Sequence, residues 1–427
     1  MKDRPALTPV GVPESLPWTL GRIGSVFRHV DQRSTTGTER LLSITKDQGV
    51  VPRDSITDAP PRASTLVGYK LCRKGDLVVN QMSVYDGLLG VAPIDGLVTY
   101  HYLVFRPGSG VDVRFISYVL RTQIYSSDFG HRVRGLGDSG QGNVRTPHIR
   151  IGDFLQTVVP LPPLDVQRRI ADFLDERVGQ VDKALALRLS QKTLLIERFG
   201  AAIDGLFTGQ QNPPLRALLA QDPCYGVLVP EFTNDDATGV PLVRINNLSD
   251  PGSDVSVLPR ISSDQAFEYR RTTLSPGDVL VGVVGSIDKA AIVPDHWAGA
   301  NVNRPIARLV PRADVPPEVI LGWTLTSGYR RDALLATGAG TAQPTLNMGD
   351  LRRFRVPLPP DVAALAHHVS DLIKWRDSAL ASLDRSLDLL VEVKRSFITA
   401  AVTGDFDSSM ASSHAPEAVC PGVGSSL

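Results

Sequence analysis

"VVPLPPLDVQRRIADFLDERVGQVD" runs from Val158 to Asp182, and "FRVPLPPDVAALAHHVSDLIKWRDSAL" runs from Phe354 to Leu380. Each passes through Pro-Leu-Pro-Pro into a helical pattern. In the first, apolar residues follow at Ile170, Leu174, Val178, Val181, Leu185, Leu189, Ile196, Phe199, Ile203 and Leu206. In the second they fall at Leu365, Val369, Leu372, Leu383, Leu387, Leu390, Phe397 and Ala401. Steps of three and four are the spacing of a coiled-coil seam, with Lys192 filling one gap. Each predicted helix has about 40 residues, hence a length on the order of 60 Å. One such helix with a single apolar stripe does not stay folded alone in water, so two with matching seams most simply pack on each other. The prolines set the direction of each helix and block its growth backwards. Thr208-Gly209 and Thr403-Gly404 read as C-terminal stops.

The repeat extends well beyond the helices. "TPHIRIGDF" (Thr146–Phe154) aligns with "QPTLNMGDL" (Gln343–Leu351), matching Pro147 to Pro344 and Asp153 to Asp350. "LLIERFGAAIDGLFTG" (Leu194–Gly209) aligns with "LLVEVKRSFITAAVTG" (Leu389–Gly404), and "TLGRI" from Thr19 resembles "PLRAL" from Pro214. The pattern is a tandem duplication whose unit is one globular part followed by one long helix. The predicted boundaries are a globular part at 1–163, a helix at 164–209, a second globular part at 210–360, a second helix at 361–404, and a low-complexity tail at 405–427 that reads as disordered.

With 427 residues the chain exceeds one ordinary core. Cys72, Cys224 and Cys420 are odd in number and far apart, which argues against a disulfide framework or a structural zinc site and for a reducing cytosol. No apolar run approaches the ~20 residues of a membrane span. Net charge is zero, but residues 1–163 carry 19 Lys and Arg against 14 Asp and Glu, while residues 361–427 carry 5 against 9. The basic excess lies at the front, where an anionic partner is expected.

The globular parts read as mixed and strand-rich. "GDLVVNQ" (Gly75–Gln81) and "GDVLVGVV" (Gly277–Val284) are short apolar strands opened by a Gly-Asp turn. "RFISYVLRTQIYSSDF" (Arg114–Phe129) and "EVILGWTLTSGYRRDAL" (Glu318–Leu334) each read as one short amphipathic helix. Several stretches imitate catalytic motifs. "NPPL" (Asn212–Leu215) has leucine where an adenine methyltransferase has its base-stacking aromatic, and reads as a linker. Pro360, Asp361, Glu392 and Lys394 mimic a nuclease signature, yet the last two fall inside a predicted helix. "GVVGSIDK" (Gly282–Lys289) lacks the Gly-Lys-Ser/Thr of a phosphate loop, and His367-His368 reads as helix surface.

Two globular units, each followed by "PLPP" and a long helix ending in Thr-Gly, resemble the specificity subunit of Type I restriction–modification systems. "KGDLVVNQMSVYDGLLGVAPIDGLVTYHYLVFRP" (Lys74–Pro107) is similar to the central motif of one class of target recognition domain, and "PLPPLDVQRRIADFLD" (Pro160–Asp175) to the family's helix start. The resemblance covers residues 14–404. It implies an α+β fold: two target recognition domains in pseudo-two-fold arrangement, joined by two long antiparallel coiled-coil helices. It also implies a non-catalytic, cytoplasmic subunit that binds double-stranded DNA, two methyltransferase subunits and motor-nuclease subunits. No cofactor is expected in this chain; S-adenosylmethionine, ATP and Mg are expected on the partners. The second helix begins "DVAALAHHV" (Asp361–Val369) where the family has an acidic-Gln-Arg start, which implies a weaker contact there with a partner subunit.

DNA recognition needs phosphate donors to position the duplex and base-edge donors or acceptors to specify it. The Gly-rich loop His131–Arg150 offers Arg132, Arg134, Gln141, Asn143, Arg145, His148 and Arg150 as well as His131. A second candidate stretch holds Asn80, Gln81, Ser83 and Tyr85. In the second globular part the candidates are Ser286, Lys289, Asn303, Arg304, Thr341 and Gln343. A solvated loop is the competing reading of the first set, and an inward-packed strand end that of the second. For the whole chain the rivals are a coiled-coil scaffold whose globular ends bind proteins and a recognition module of a fused restriction enzyme.

Overall fold

The computed structural model describes residues 9, 18–133, 148–233, 238–337 and 345–404. The predicted tail, Pro147 and Pro344 lie outside these. The chain divides into two compact units: the described parts of 1–186 and 387–427 form the first, and those of 187–386 the second. Each long helix therefore contributes one half to each unit.

In the first unit, β1 (Phe27–Val30), β2 (Leu77–Asn80), β3 (Leu89–Val91) and β4 (Tyr102–Pro107) form an antiparallel sheet in the order β1-β4-β2-β3. Leu77, Val78 and Val79 are all fully buried because both faces of this sheet are covered. Successive side chains alternate between the faces. Leu77 and Val79 pack with Phe115, Ile116 and Val119 of α1 (Val113–Leu120), while Val78 and Val104 pack with Leu42, Ile44 and Val50. The helices α2 (Gln123–Arg132) and α3 (Leu164–Leu206) follow.

The second unit repeats this plan. β5 (Cys224–Tyr225), β6 (Val279–Gly282), β7 (Ala290–Ile292) and β8 (Ile306–Leu309) pair antiparallel in the order β5-β8-β6-β7. Val279 and Val281 pack with Val319, Ile320 and Trp323 of α4 (Pro317–Thr324), and Leu280 with Val243, Leu274 and Trp297. The helices α5 (Ser327–Thr337) and α6 (Val362–Thr403) follow. Among the described residues no helix is long and apolar enough to cross a membrane.

Each single short helix expected from periodicity is a pair of helices. The break falls at Thr122 in one unit and Thr326 in the other, both buried. Their hydroxyls donate to the carbonyls three residues back, Val119 O at 2.8 Å and Trp323 O at 2.7 Å. A threonine that bonds its own preceding turn ends one helix and starts the next at a new angle. Periodicity alone does not register this, since the apolar spacing carries on across the break.

The Gly-Asp turns have a common cause. Gly75 and Gly277 both sit at φ 86°, a conformation open to glycine at little cost. The aspartate that follows is buried: Asp76 receives the Arg106 guanidinium of β4 at 2.8–2.9 Å through two nitrogens. Asp278 receives Arg308 of β8 at 2.7 Å. Each carboxylate also accepts the amide three residues before it, Arg73 N and Ser275 N, both at 2.8 Å. The ion pair thus clamps the strand opening to its neighbouring strand.

The long helices have 43 and 42 residues. Within the first unit, Phe173 of α3 meets Phe397 of α6 edge-on and Asp182 pairs with Lys394 at 2.6 Å. Within the second, Lys192 pairs with Asp384 at 2.5 Å and the Arg376 guanidinium lies 4.6 Å from the centre of the Phe199 ring. In both, numbers rise along α3 as they fall along α6, so the halves run antiparallel. The seam departs from the expected one in its middle. Leu189 and Ile196 are 54% and 51% exposed, whereas Leu195 is partly buried and Lys192 makes the ion pair. The predicted stops also differ from each other. Gly404 has φ 79° and is a left-handed cap. Gly209 lies beyond the helix end at Leu206, and a Cβ there would collide with the Leu358 carbonyl, so it permits a close backbone approach instead.

Removing one partner of a buried ion pair strands the other charge. Asp76→Ala is expected to destabilise the first unit by about 3–5 kcal/mol, read as an earlier first transition in urea. Arg312→Ala, which breaks an exposed pair with Asp314, is expected to leave the midpoints in place.

Candidate nucleic-acid interface

The start of α3 is held by the buried Gln167, 1% exposed. Its carbonyl accepts Asp112 N at 2.9 Å, and its amide donates to Pro162 O at 2.8 Å and Gly110 O at 3.4 Å. Beside it, Arg114 bridges Asp112, Asp172 and Asp175. The residue aligned with Gln167 in the second unit is Ala364, and there Asp361 caps α6 by accepting Ala364 N at 2.9 Å. The unusual second start thus changes how a helix is anchored to its own unit.

Two of the candidate stretches in the first unit come together. Ile149 N donates to Gln81 O at 2.9 Å, which sets His148 and Arg150, both exposed, against the turn that closes β2. The second unit does the same: Leu346 N donates to Val283 O at 2.8 Å, and Thr345 bridges Val284. In each unit, then, the segment returning before the long helix docks on the turn at the end of the central strand. That turn carries Asn80, Gln81, Ser83 and Tyr85 in one unit and Ser286 and Lys289 in the other.

The individual side chains differ in what they have free. Asn80 is buried, and its Oδ1 accepts Met82 N at 3.1 Å, so this amide shapes the turn. Gln81 and Ser83 are half-buried and Tyr85 is 37% exposed. Asn303 Oδ1 accepts Arg304 N at 2.8 Å, leaving Arg304 exposed at the tip of the turn before β8. Ser286 and Lys289 are half-buried. Arg132 is largely buried: it pairs with Asp128 at 2.6 Å and donates to Thr157 Oγ1 at 3.1 Å. Burial pushes the Asp128 carboxyl above its ordinary range, and Arg132 pulls it back. Arg134, Gln141, Asn143, Arg145, Thr341 and Gln343 lie outside the described residues.

No family model matches the chain. The specificity subunit of the Type I restriction enzyme EcoBI of Escherichia coli is 26% identical over 299 residues, 63% of this chain and 62% of that relative. The MjaVIII specificity subunit of Methanocaldococcus jannaschii is 22% identical over 268 residues, 58% of this chain and 59% of the relative. A solved chain from work on complex assembly and conformational transition of the type I R-M system superposes with a TM-score of 0.67 at 18% identity, covering 92% of this chain and 100% of that one. The chain is homologous to Type I restriction specificity subunits. It spans about three-fifths of the length of the two curated subunits named here, and it shares the fold of the solved one, with its long helices.

The imitations of catalytic motifs resolve structurally. Leu215 is fully buried in the second core, where a base-stacking residue would have to be open. Glu392 and Lys394 lie within α6, and Lys394 holds Asp182. His367 turns its Nδ1 to Ala363 O of its own helix at 2.8 Å. Reading the sequence also missed a group of cations. Lys46, Arg121 and Arg395 line one cavity of the first unit although they come from three distant segments, and no spacing in the sequence joins them.

Arg132→Ala is expected to lower the stability of the first unit by about 1–3 kcal/mol, because it leaves Asp128 buried without its cation. The deficit should open as pH rises above the ordinary Asp value of 3.8, since below it the carboxyl is protonated in folded and unfolded chains alike. Denaturant melts at pH 4 and pH 7 measure both effects. Arg150→Ala, at an exposed position, should change neither.

Proposed function

We propose that the chain is the DNA-reading subunit of a Type I restriction–modification complex. Each unit would read one half of a bipartite target, and the long helices would set the spacer and dock two methyltransferase subunits around a pseudo-two-fold axis. The observation that carries this reading is the duplicated rim: in both units a returning segment and a strand-end turn are hydrogen-bonded together and present Arg, His, Gln, Lys or Ser side chains. The homology to specificity subunits supports the same role. Docking on the helices is supported by apolar side chains that nothing in the unit covers, among them Leu187 at 61% and Leu194 at 55% exposed, seven residues apart and so on one face of α3.

On this reading the chain carries out no chemistry. S-adenosylmethionine, ATP and Mg belong to partner subunits, and motor-nuclease subunits complete the complex. The defining experiment is reconstitution: adenine methylation at a bipartite motif should require both this chain and a methyltransferase subunit. Methylation by the methyltransferase alone at the same motif would refute it.

Phosphate contacts make binding salt-dependent. Arg150→Ala and Arg304→Ala are each expected to weaken duplex binding and to lower the slope of log affinity against log salt by about one. If either arginine reads a guanine, specificity at one base should relax instead, at a loss of about 1–3 kcal/mol. Anisotropy titrations on matched and mismatched duplexes separate the two.

The helices can be tested as a ruler. Duplicating Leu187–Ser190 within α3 adds about 6 Å and rotates the far end by roughly 40°. One base pair advances ~3.4 Å and turns ~34°. The half-site sequences are therefore expected to stay the same while the non-specific spacer lengthens by one or two base pairs. Sequencing the methylated sites of a host carrying the insertion reads this directly; altered half-site bases would show that recognition lies outside the globular parts.

A further inference from the structure

A cavity of about 420 Å³ opens in the first unit between three pieces of chain. Lys46 comes from the turn between strands Leu42–Thr45 and Gly49–Pro52, Arg121 from the break between α1 and α2, and Arg395 from α6. Its size lies within the range of small-molecule sites, but its lining is unlike the mostly apolar wall of such sites. Ile398 and the Tyr85 ring are its principal apolar surfaces; the other side chains are charged, hydroxyl-bearing or amide, apart from glycines. Three cations face one carboxylate, that of Asp86.

Among the described residues, no carboxylate lies within ion-pair distance of Lys46, Arg121 or Arg395. Arg121 is half-buried, and its Nη2 donates to two main-chain carbonyls, Lys46 O at 2.5 Å and Asp47 O at 3.4 Å. These bonds fix the turn that presents Lys46, but a carbonyl supplies no counter-charge. Burial lowers the Arg121 pKa from its ordinary value, with Tyr118, Asp182 and Asp47 opposing only through space. A partly desolvated guanidinium without a paired anion carries a cost that an anion in the cavity would relieve.

We propose that this cavity is a binding site for a phosphate oxyanion, held by Lys46, Arg121 and Arg395 with hydroxyls of Ser126 and Thr399 at its wall. A phosphate offers several acceptors and at least one negative charge, which suits a pocket rich in donors with a positive balance. Two sources share this chemistry: a free phosphate or diphosphate, and a phosphate of the DNA backbone. The DNA-backbone source rests on the proposed role of the chain, whereas the oxyanion site itself does not, and titration with pyrophosphate tests it apart from DNA.

The test is calorimetric titration of the full chain with inorganic pyrophosphate. Binding is expected, and Lys46→Ala combined with Arg395→Ala should weaken it by about ten- to hundredfold, the equivalent of one or two charge-assisted hydrogen bonds. Both residues are exposed, so that variant should melt like the parent chain. Asp86→Asn should tighten binding by removing the opposing charge. A duplex arm identifies the source. If pyrophosphate competes with duplex DNA and the double variant loses affinity for both, the ligand is the DNA backbone. If the variant loses pyrophosphate alone, the ligand is a free oxyanion. No binding of pyrophosphate to the parent chain, binding that survives in the double variant, or weaker binding in Asp86→Asn overturns the proposal.

Discussion

Everything in this structure answers to one constraint: two helices of 43 and 42 residues each carry an apolar stripe too long for a single small core to cover. The stripe is covered in halves. Ile170, Ala171 and Leu174 of the first helix enter one core, and Phe199 and Ile203 enter the other. The last helix does the same in reverse, with Leu365, Ala366 and Val369 in the second core and Ala401 and Val402 in the first. Between these ends the helices rely on each other through partly buried side chains and two ion pairs. The sharing has a kinetic side as well. The first core is unfinished until residues some 400 positions along the chain have been made. The second closes with residues no further on than Ile373. Contacts so far apart in sequence carry a large loop-closure cost before they reward it.

Duplication kept the parts of the unit that position its rim and let others drift. The buried Asp–Arg clamp, the Thr-marked helix break and the returning segment bonded to the strand-end turn occur in both units. The clamp fixes where the central strand begins, the break redirects the helix behind it, and the returning segment holds the turn where the strand ends. The helix start is different. One unit uses a buried glutamine with three hydrogen bonds and a salt-bridged arginine, and the other uses an aspartate cap over a mainly apolar contact. A buried glutamine amide without partners costs free energy, so Gln167 is tolerable only where the surrounding loop offers its carbonyls and an amide. In the second unit Ala364 removes that demand altogether.

Charge follows a similar logic. The whole chain is neutral, yet its lysines and arginines serve three distinct ends. Some are consumed inside the fold, as Arg106, Arg308 and Arg132 are. Others stand exposed on the rim, as Arg150 and Arg304 do. A third group converges on a cavity. Net charge cannot separate these uses, because only burial and partner geometry distinguish an arginine that holds a strand from one that can meet a phosphate.

The sequence by itself determined the duplication, the long helices, the proline-led starts and the strand after each Gly-Asp turn. Those features are written in local spacing, and spacing of three and four or of two reports which face must be buried. It placed the first unit's candidate residues on two stretches but could not say that those stretches meet, since one hydrogen bond from Ile149 to Gln81 links positions 68 residues apart. The tertiary structure decided which side chains remain available. Arg132 and Asn80 fit the chemistry of DNA contact by residue type, yet packing gives one a buried carboxylate and the other a turn amide. Tertiary contact also decided the middle of the seam, where Lys192 pairs with Asp384 of the other helix and Leu195 is partly buried while Leu189 and Ile196 are exposed. The apolar period is nearly satisfied by either choice, so spacing alone does not select between them.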